Sequence, residues 1–228
     1  MSHYEFTGEQ KTYDHRTVYR IRATKTFKTN GDIEIAAGTL GGWIATGTNL
    51  KDSAWVADEA VVLENAVVSH GALIKGEAVV RGNARVCGNA VVFDRAEVRG
   101  SACVTHNCMV GGKALVEGEA TLFDDAWVMG NAWVSGTAKL FKNAMIAGEV
   151  WIRCGSFGTG AYILRPNDWL CVGPLDNQGS LVTFYASVDD DITVRVGVDE
   201  LSLAEYRSLC TTKPYQLAAD LAEASMKR

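Results

Sequence analysis

Two of the four histidines in a chain of 228 residues, His70 and His106, stand apart from His3 and His15 near its start. An imidazole titrates near neutral pH and can take a proton from an acceptor hydroxyl or amine, so each is a candidate general base. The sequence identifies no orienting partner for either. Three arginines, Arg81, Arg99 and Arg153, are evenly phased: the interval from Arg81 to Arg99 fits three times between Arg99 and Arg153. A guanidinium fork suits phosphate or carboxylate, so this series reads as a site for a small anionic ligand or an acidic partner. With Glu97 and Glu117 beside it, it reads equally as an internal salt-bridged ladder. Asp189-Asp190-Asp191 reads as a solvated hairpin turn or as a cation site. The six cysteines, Cys87, Cys103, Cys108, Cys154, Cys171 and Cys210, include no C-x-x-C pair. No Cys/His spacing matches a metal centre, so no metal is expected and the thiols read as small, reduced hydrophobes. The glycines form no GxxxxGK phosphate loop.

The elements that must position these groups announce themselves as a repeat. From Ile44 to Ile152 an aliphatic residue returns every six positions without a break, 19 times, and 12 of the 19 are Val. From Ala54 to Val150 the residue two before each is Ala in 15 of 17 cases, Cys108 and Val150 being the exceptions. Gly, Asn and Asp favour the fourth and fifth places, as in Gly82-Asn83 and Gly130-Asn131. A period of six is not helical. It fits short strands of β-branched residues alternating with corners that tolerate a left-handed backbone. Each inward Val is worth about 1.5–3 kcal/mol once neighbouring coils stack on it. His70 and His106 both occupy the fourth place, on one corner, with Gly88 between them, Asp52 before and Asp124 and Lys142 after. A solvated corner residue is therefore the alternative to a catalytic one.

Units such as Val79-Val80-Arg81-Gly82-Asn83-Ala84 resemble the hexapeptide repeat of left-handed parallel β-helices, the trimeric acyltransferase-type fold. The resemblance covers residues 43–156. It implies a triangular coil of three such units, about six coils, and trimers packed around a three-fold axis. Many members transfer acyl groups from acetyl-CoA or another acyl-CoA, using a His base and a loop thrown out of the coil. Here the repeat phase is unbroken from Ile44 to Ile152, so no such loop is expected. Ala37-Gly38-Thr39-Leu40-Gly41-Gly42-Trp43-Ile44 with Asn49-Leu50 is similar to the leading segment of certain bacterial and prophage hexapeptide proteins.

Residues three units apart share an outer face. One column holds Trp55, Leu73, Val91, Met109, Trp127 and Met145, all apolar. The next holds Trp43, Val61, Val79, Glu97, Leu115, Trp133 and Trp151, apolar but for Glu97. The third (Asn49, Val67, Arg85, Cys103, Thr121, Lys139) is mostly polar. So much apolar outer surface calls for a cover, and the Trp55–Met145 column is the expected trimer interface. Terminal segments folding back over it are the alternative cover.

The flanks differ in character. Residues 1–42 lack the repeat, alternate like strands at 17–23 and 32–35, turn at Gly38-Thr39-Leu40-Gly41-Gly42, and are expected to cap the first coil. All three prolines, Pro166, Pro174 and Pro214, lie beyond the repeat. There, residues 169–173, 181–187 and 192–198 read as strands. Residues 201–209 and 215–226 read as amphipathic helices with faces Leu201/Ala204/Leu209 and Leu217/Leu221/Ala224. This C-terminal α+β module, residues 166–228, is similar to a small module on many phage proteins.

Charge narrows the function classes. Lys plus Arg is 22 and Asp plus Glu 27, a net charge of -5, which argues against a general nucleic-acid binder. No apolar run is long enough to span a membrane and no signal-type segment opens the chain, so a cytoplasmic protein is expected, in the host cytoplasm if phage-encoded. Two functions remain. One is a homotrimeric binding or structural module without a cofactor, engaging a small ligand or a host protein and so interfering with a host process. The other is a CoA-dependent acyltransferase using His106 or His70.

Overall fold

The computed structural model describes residues 2–175, 181–189 and 191–226. From residue 40 to residue 163 the chain winds into a parallel β-solenoid of about seven turns. Strands of two residues alternate with four-residue corners. Val79 lies beside Val61 and Glu97, Arg85 beside Val67 and Cys103, and Val91 beside Leu73 and Met109. The pairing runs i to i+18, so three six-residue units make one turn and three sheets line three sides. The periodic Val, Leu and Ile and the Ala two before each are buried, as at Ala78, Val80, Ala96 and Val98. Cys108 stands in one of these Ala places, also buried, and burial pushes its thiol up to about 12.

The corners need a left-handed backbone, which explains their composition. Asp52, His70, Gly88, His106, Asp124 and Lys142 stack turn on turn with φ between 54° and 71°. At Gly88 a Cβ would lie 2.7 Å from the His106 backbone nitrogen, so glycine suits both the angle and the space.

The stack outlasts the period of six. Ser156–Phe157 pairs with Lys139–Leu140, and Tyr162–Ile163 pairs with Met145–Ile146. Here the pairing runs i to i+17, so a single position is lost in the corner at Arg153, Cys154 and Gly155. Phe157 and Ile163 are nonetheless buried and continue the inner column. A strict count of six therefore stops two units short, and the solenoid has about seven turns where the repeat alone gives a little over six.

At the N-terminal end a hairpin, Tyr4–Tyr13 with Arg16–Ala23, prolongs one solenoid sheet, its second strand running antiparallel to Leu40–Ile44. A second hairpin, Phe27–Thr29 with Ile33–Ile35, lies against the side. The expected turn at Gly41-Gly42 is instead inside the strand Leu40–Ile44. A Cβ at Gly41 would sit 2.6 Å from Ile21 Cγ1 and 2.7 Å from the Val56 carbonyl. These glycines serve close approach of the hairpin to the first coil rather than a turn.

At the other end the antiparallel strands Trp169–Val172, Val182–Ala186, Ile192–Val196 and Asp199–Ser202 form a sheet carrying the helices Leu203–Leu209 and Lys213–Met226. The fourth strand takes residues 199–202, including the start of the expected first helix. That helix begins where Ser202 and Glu205 form a capping box, the Glu205 amide donating to Ser202 Oγ (3.2 Å) and the Ser202 amide to Glu205 Oε2 (2.8 Å). The helix faces also differ from expectation. Ala218, Ala219 and Ala222 are buried while Leu209, Leu217 and Leu221 are more than half exposed. Small alanines let the second helix approach the sheet closely, and Tyr206, packed on Phe184 at 5.3 Å, fills the first helix's inner position. Trp169 and Tyr185 meet Phe157 at 5.8 Å, so this module covers the last turn of the solenoid. Among the described residues no helix is long and apolar enough to cross a membrane.

Candidate functional site

His70 and His106 lie on one corner line, two turns apart, as their spacing implies. Both are exposed. His70 Nδ1 is 3.1 Å from Ser69 Oγ and 3.8 Å from Asp52 Oδ2, with its side chain 72% exposed. His106 makes no side-chain hydrogen bond to another described residue. Its backbone serves the corner: its carbonyl accepts from the Asn89 amide at 2.7 Å. At about 4.8 Å per turn, two turns hold the rings too far apart to act on one atom. A general base needs an orienting partner and a neighbouring cleft, and neither imidazole has both.

Arg81 and Arg99 belong to a continuous ladder. Asp14 Oδ2 accepts from Arg81 Nη1 at 2.7 Å, and Glu97 Oε1 accepts from Arg81 Nε at 2.6 Å and from Arg99 Nη1 at 3.4 Å. Glu117 accepts from Arg99 Nε at 2.7 Å and, through its other oxygen, from Trp133 Nε1 at 2.8 Å. The Glu97 hydrogen bond pushes the Arg81 guanidinium further up, against a smaller opposing effect of burial. The stacked guanidiniums thus find carboxylates of their own chain, and the N-terminal hairpin supplies one of them through Asp14. Arg153, in the same series, is exposed and stands apart, with no ion pair among the described residues.

The apolar columns divide at mid-length. Trp55 is 1% exposed and Leu73 5%. Phe27 of the second hairpin meets the Trp55 ring at 5.6 Å, and Thr29 Oγ1 donates to the Gly71 carbonyl at 3.1 Å. In the second column Trp43, Val61 and Val79 are buried with Val18 of the first hairpin. Lys11 Nζ sits 4.3 Å above the Trp43 ring. Farther along, Val91, Met109 and Met145 are half-buried, while Trp127 is 42% and Trp151 60% exposed. Trp133 and Trp151 lie edge to face at 5.1 Å. Four of the six expected interface residues, Val91, Met109, Trp127 and Met145, therefore remain available. Trp55 and Leu73 are covered by their own chain.

A cluster with no regular spacing in the sequence lies where the C-terminal module meets the solenoid. Glu200 accepts from Lys142 Nζ (2.8 Å), from the Thr159 amide (3.0 Å) and hydroxyl (2.9 Å), and from Tyr185 Oη (3.3 Å). Arg195 Nη1 is 3.2 Å away, and the guanidinium lies 4.2 Å above the Phe141 ring. Burial raises the Glu200 carboxyl, but hydrogen bonds from Lys142 and Thr159 outweigh it and hold it below the usual carboxylate value. Burial and then the Glu200 charge push the Tyr185 phenol up. A Cβ at Gly158 would overlap the Glu200 carboxylate, so a glycine there admits it. In the sequence the junction is marked by the single position lost after Ile152 and by the prolines that begin at Pro166.

All six cysteines are free thiols. Burial, reinforced by a hydrogen bond with Cys154, pushes the Cys171 thiol up to about 12, so it is protonated and inert near neutral pH. Of the aspartate run, Asp190 lies outside the described residues. The described residues contain no group of three or more His, Cys, Asp or Glu placed to hold a metal ion. No protein-family model and no curated protein matches the chain.

Proposed function

We propose that the chain is a homotrimeric binding and structural module of the left-handed hexapeptide-repeat type, in which the solenoid sets valency and the C-terminal module and its junction present a ligand or partner surface. The observation that carries this reading is the bare half of the apolar columns: Met109, Trp127 and Met145 on one side, Trp133 and Trp151 on the next. Both terminal segments are already engaged elsewhere, so this surface calls for a cover from another chain. Two adjacent apolar sides suit a closed ring in which one side of each chain meets the other side of its neighbour. Three chains is the number that the hexapeptide resemblance implies. The exposed corner histidines, neither with both an orienting partner and a cleft, favour a binding role over acyl transfer.

Native mass spectrometry of the purified protein, with and without acetyl-CoA, tests the reading. A trimer that retains no CoA and transfers no acetyl group to added amines or alcohols is expected. A monomer, or acetyl transfer abolished by His106→Ala, would overturn it.

A further inference from the structure

Beside the Glu200 cluster the solenoid and the C-terminal module form a cavity of about 450 Å³. Small-molecule sites commonly run from about 300 to 1,000 Å³, so a compact ligand fits. Thr137, Lys139 and Ser156 line it from the solenoid, and Leu181, Thr183 and Arg195 from the module. Among the described residues no acidic side chain lines it. Lys139 makes no ion pair among them either. The Thr137 and Ser156 hydroxyls donate to no other described residue, while the Ser156 amide is taken up by Thr183 Oγ1 at 3.0 Å. Arg195 makes one ion pair, to Glu200, and its Nε is buried without a partner. Lys142 and Arg195 share the single carboxylate of Glu200 and Lys139 has none, so the junction carries an excess of positive charge in a chain whose net charge is -5.

We propose that this cavity binds a small phosphorylated molecule, its phosphoryl group held between Lys139 and Arg195 with the Thr137 and Ser156 hydroxyls as further donors. Two cations and two free hydroxyls exceed what one carboxylate oxygen pair can use. They match a dianionic phosphoryl group with three acceptor oxygens. Phe141 beneath the guanidinium and the pair to Glu200 hold Arg195 in place before the ligand arrives, so little side-chain freedom is lost on binding. Leu181 in the lining offers an apolar contact to the rest of the molecule. The site specifies the ligand class of the binding module proposed above, and it rests on that reading only for its purpose. Every group in it comes from one chain, so it does not depend on assembly.

The test uses the full-length protein and inorganic phosphate as probe, with chloride at matched ionic strength and acetate in parallel, read by amide chemical shifts and calorimetry. Phosphate is expected to shift the amides of Lys139, Ser156, Thr183 and Arg195 saturably, with acetate weaker. Lys139→Gln is expected to weaken phosphate about tenfold and Ser156→Ala severalfold, with the amide spectrum otherwise unchanged. Shifts no larger than those with chloride, or equal phosphate affinity in Lys139→Gln, would overturn the site. Acetate as tight as phosphate would overturn the phosphoryl assignment. Sedimentation of the same samples keeps the two claims apart: phosphate binding by a monomer would refute the trimer and leave the site standing.

Discussion

The two ends of the solenoid start from the same pattern and finish differently. Trp55 and Trp127 occupy the same column, four turns apart, and Trp43 and Trp151 bracket the next. At the first end two hairpins fold back, and Trp55 and Trp43 fall to 1% and 6% exposure. At the far end the chain leaves through a shortened corner and spends its C-terminal module on the last turn, so Trp127 and Trp151 stay in the open. Flanking segments meet the solenoid at both ends, but apolar sides are covered at only one. An outward apolar column is therefore not in itself an interface, because what matters is which part of it the chain's own termini reach. On the proposed assembly, the uncovered remainder is what a second copy would bury.

The largest effect is expected where the C-terminal module meets the last turn. Deleting residues 166–228 strips Trp169 and Tyr185 from Phe157 and bares the edges of the last solenoid strands, so the truncated protein is expected to aggregate. Light scattering after expression decides this, and a soluble, folded truncation would show that the last turn needs no lid. Next in size is Trp55→Ala, which opens a cavity under Phe27 and should cost about 3–5 kcal/mol in urea unfolding. Trp127→Ala, the same change on the bare half, should alter the stability of the dissociated chain, measured by dilution below the assembly concentration, by less than about 1 kcal/mol and weaken assembly instead. Equal losses at the two sites would erase the distinction between the halves.

Acid should loosen the ends at different pH. His3 is buried and its ring nitrogen Nε2 lies 2.9 Å from the Ala54 carbonyl oxygen. Burial lowers its pKa from 6.5, partly offset by that bond. The unfolded chain therefore takes up the proton first, and the N-terminal contribution falls as pH drops below about 6.5. Glu200 is likewise depressed, from 4.5. Its contribution is fully present above that value and is lost only as pH falls through its folded pKa. Hydrogen exchange between pH 7 and 4 should thus show the first hairpin opening before the C-terminal junction. The reverse order would contradict these assignments. The smallest effect belongs to the corner: His106→Ala should change stability by under about 0.5 kcal/mol by thermal unfolding, apart from any cost of its positive φ. A larger loss would mean the ring packs on something.

The repeat is legible in the sequence because a stacked coil imposes the same inner residues on every turn. Val80, Val98 and Val116 meet the same neighbours, so the period is written 19 times over. The outer columns are legible as columns, but their cover is not. Whether Val18 or Phe27 reaches Trp43 or Trp55 depends on how two hairpins fold back, and that leaves no period. The Arg81–Glu97–Arg99–Glu117 ladder can be read by spacing, whereas Asp14 cannot. The Glu200 cluster is invisible for the same reason: its members come from the solenoid corner, the last turn and the module strands. The helix faces mislead because hydrophobicity points to leucine as the inward residue, where close helix–sheet approach favours alanine.

In the proposed trimer the bare half of the apolar columns is buried between copies of the chain. Sedimentation equilibrium of the wild type and of Trp127→Glu at micromolar concentration tests it most directly. A charge placed in that surface would be buried and unpaired on assembly. A wild-type mass three times 24.6 kDa and a folded monomer for Trp127→Glu are expected. A wild type that sediments as a monomer, or a variant that remains trimeric, would contradict it.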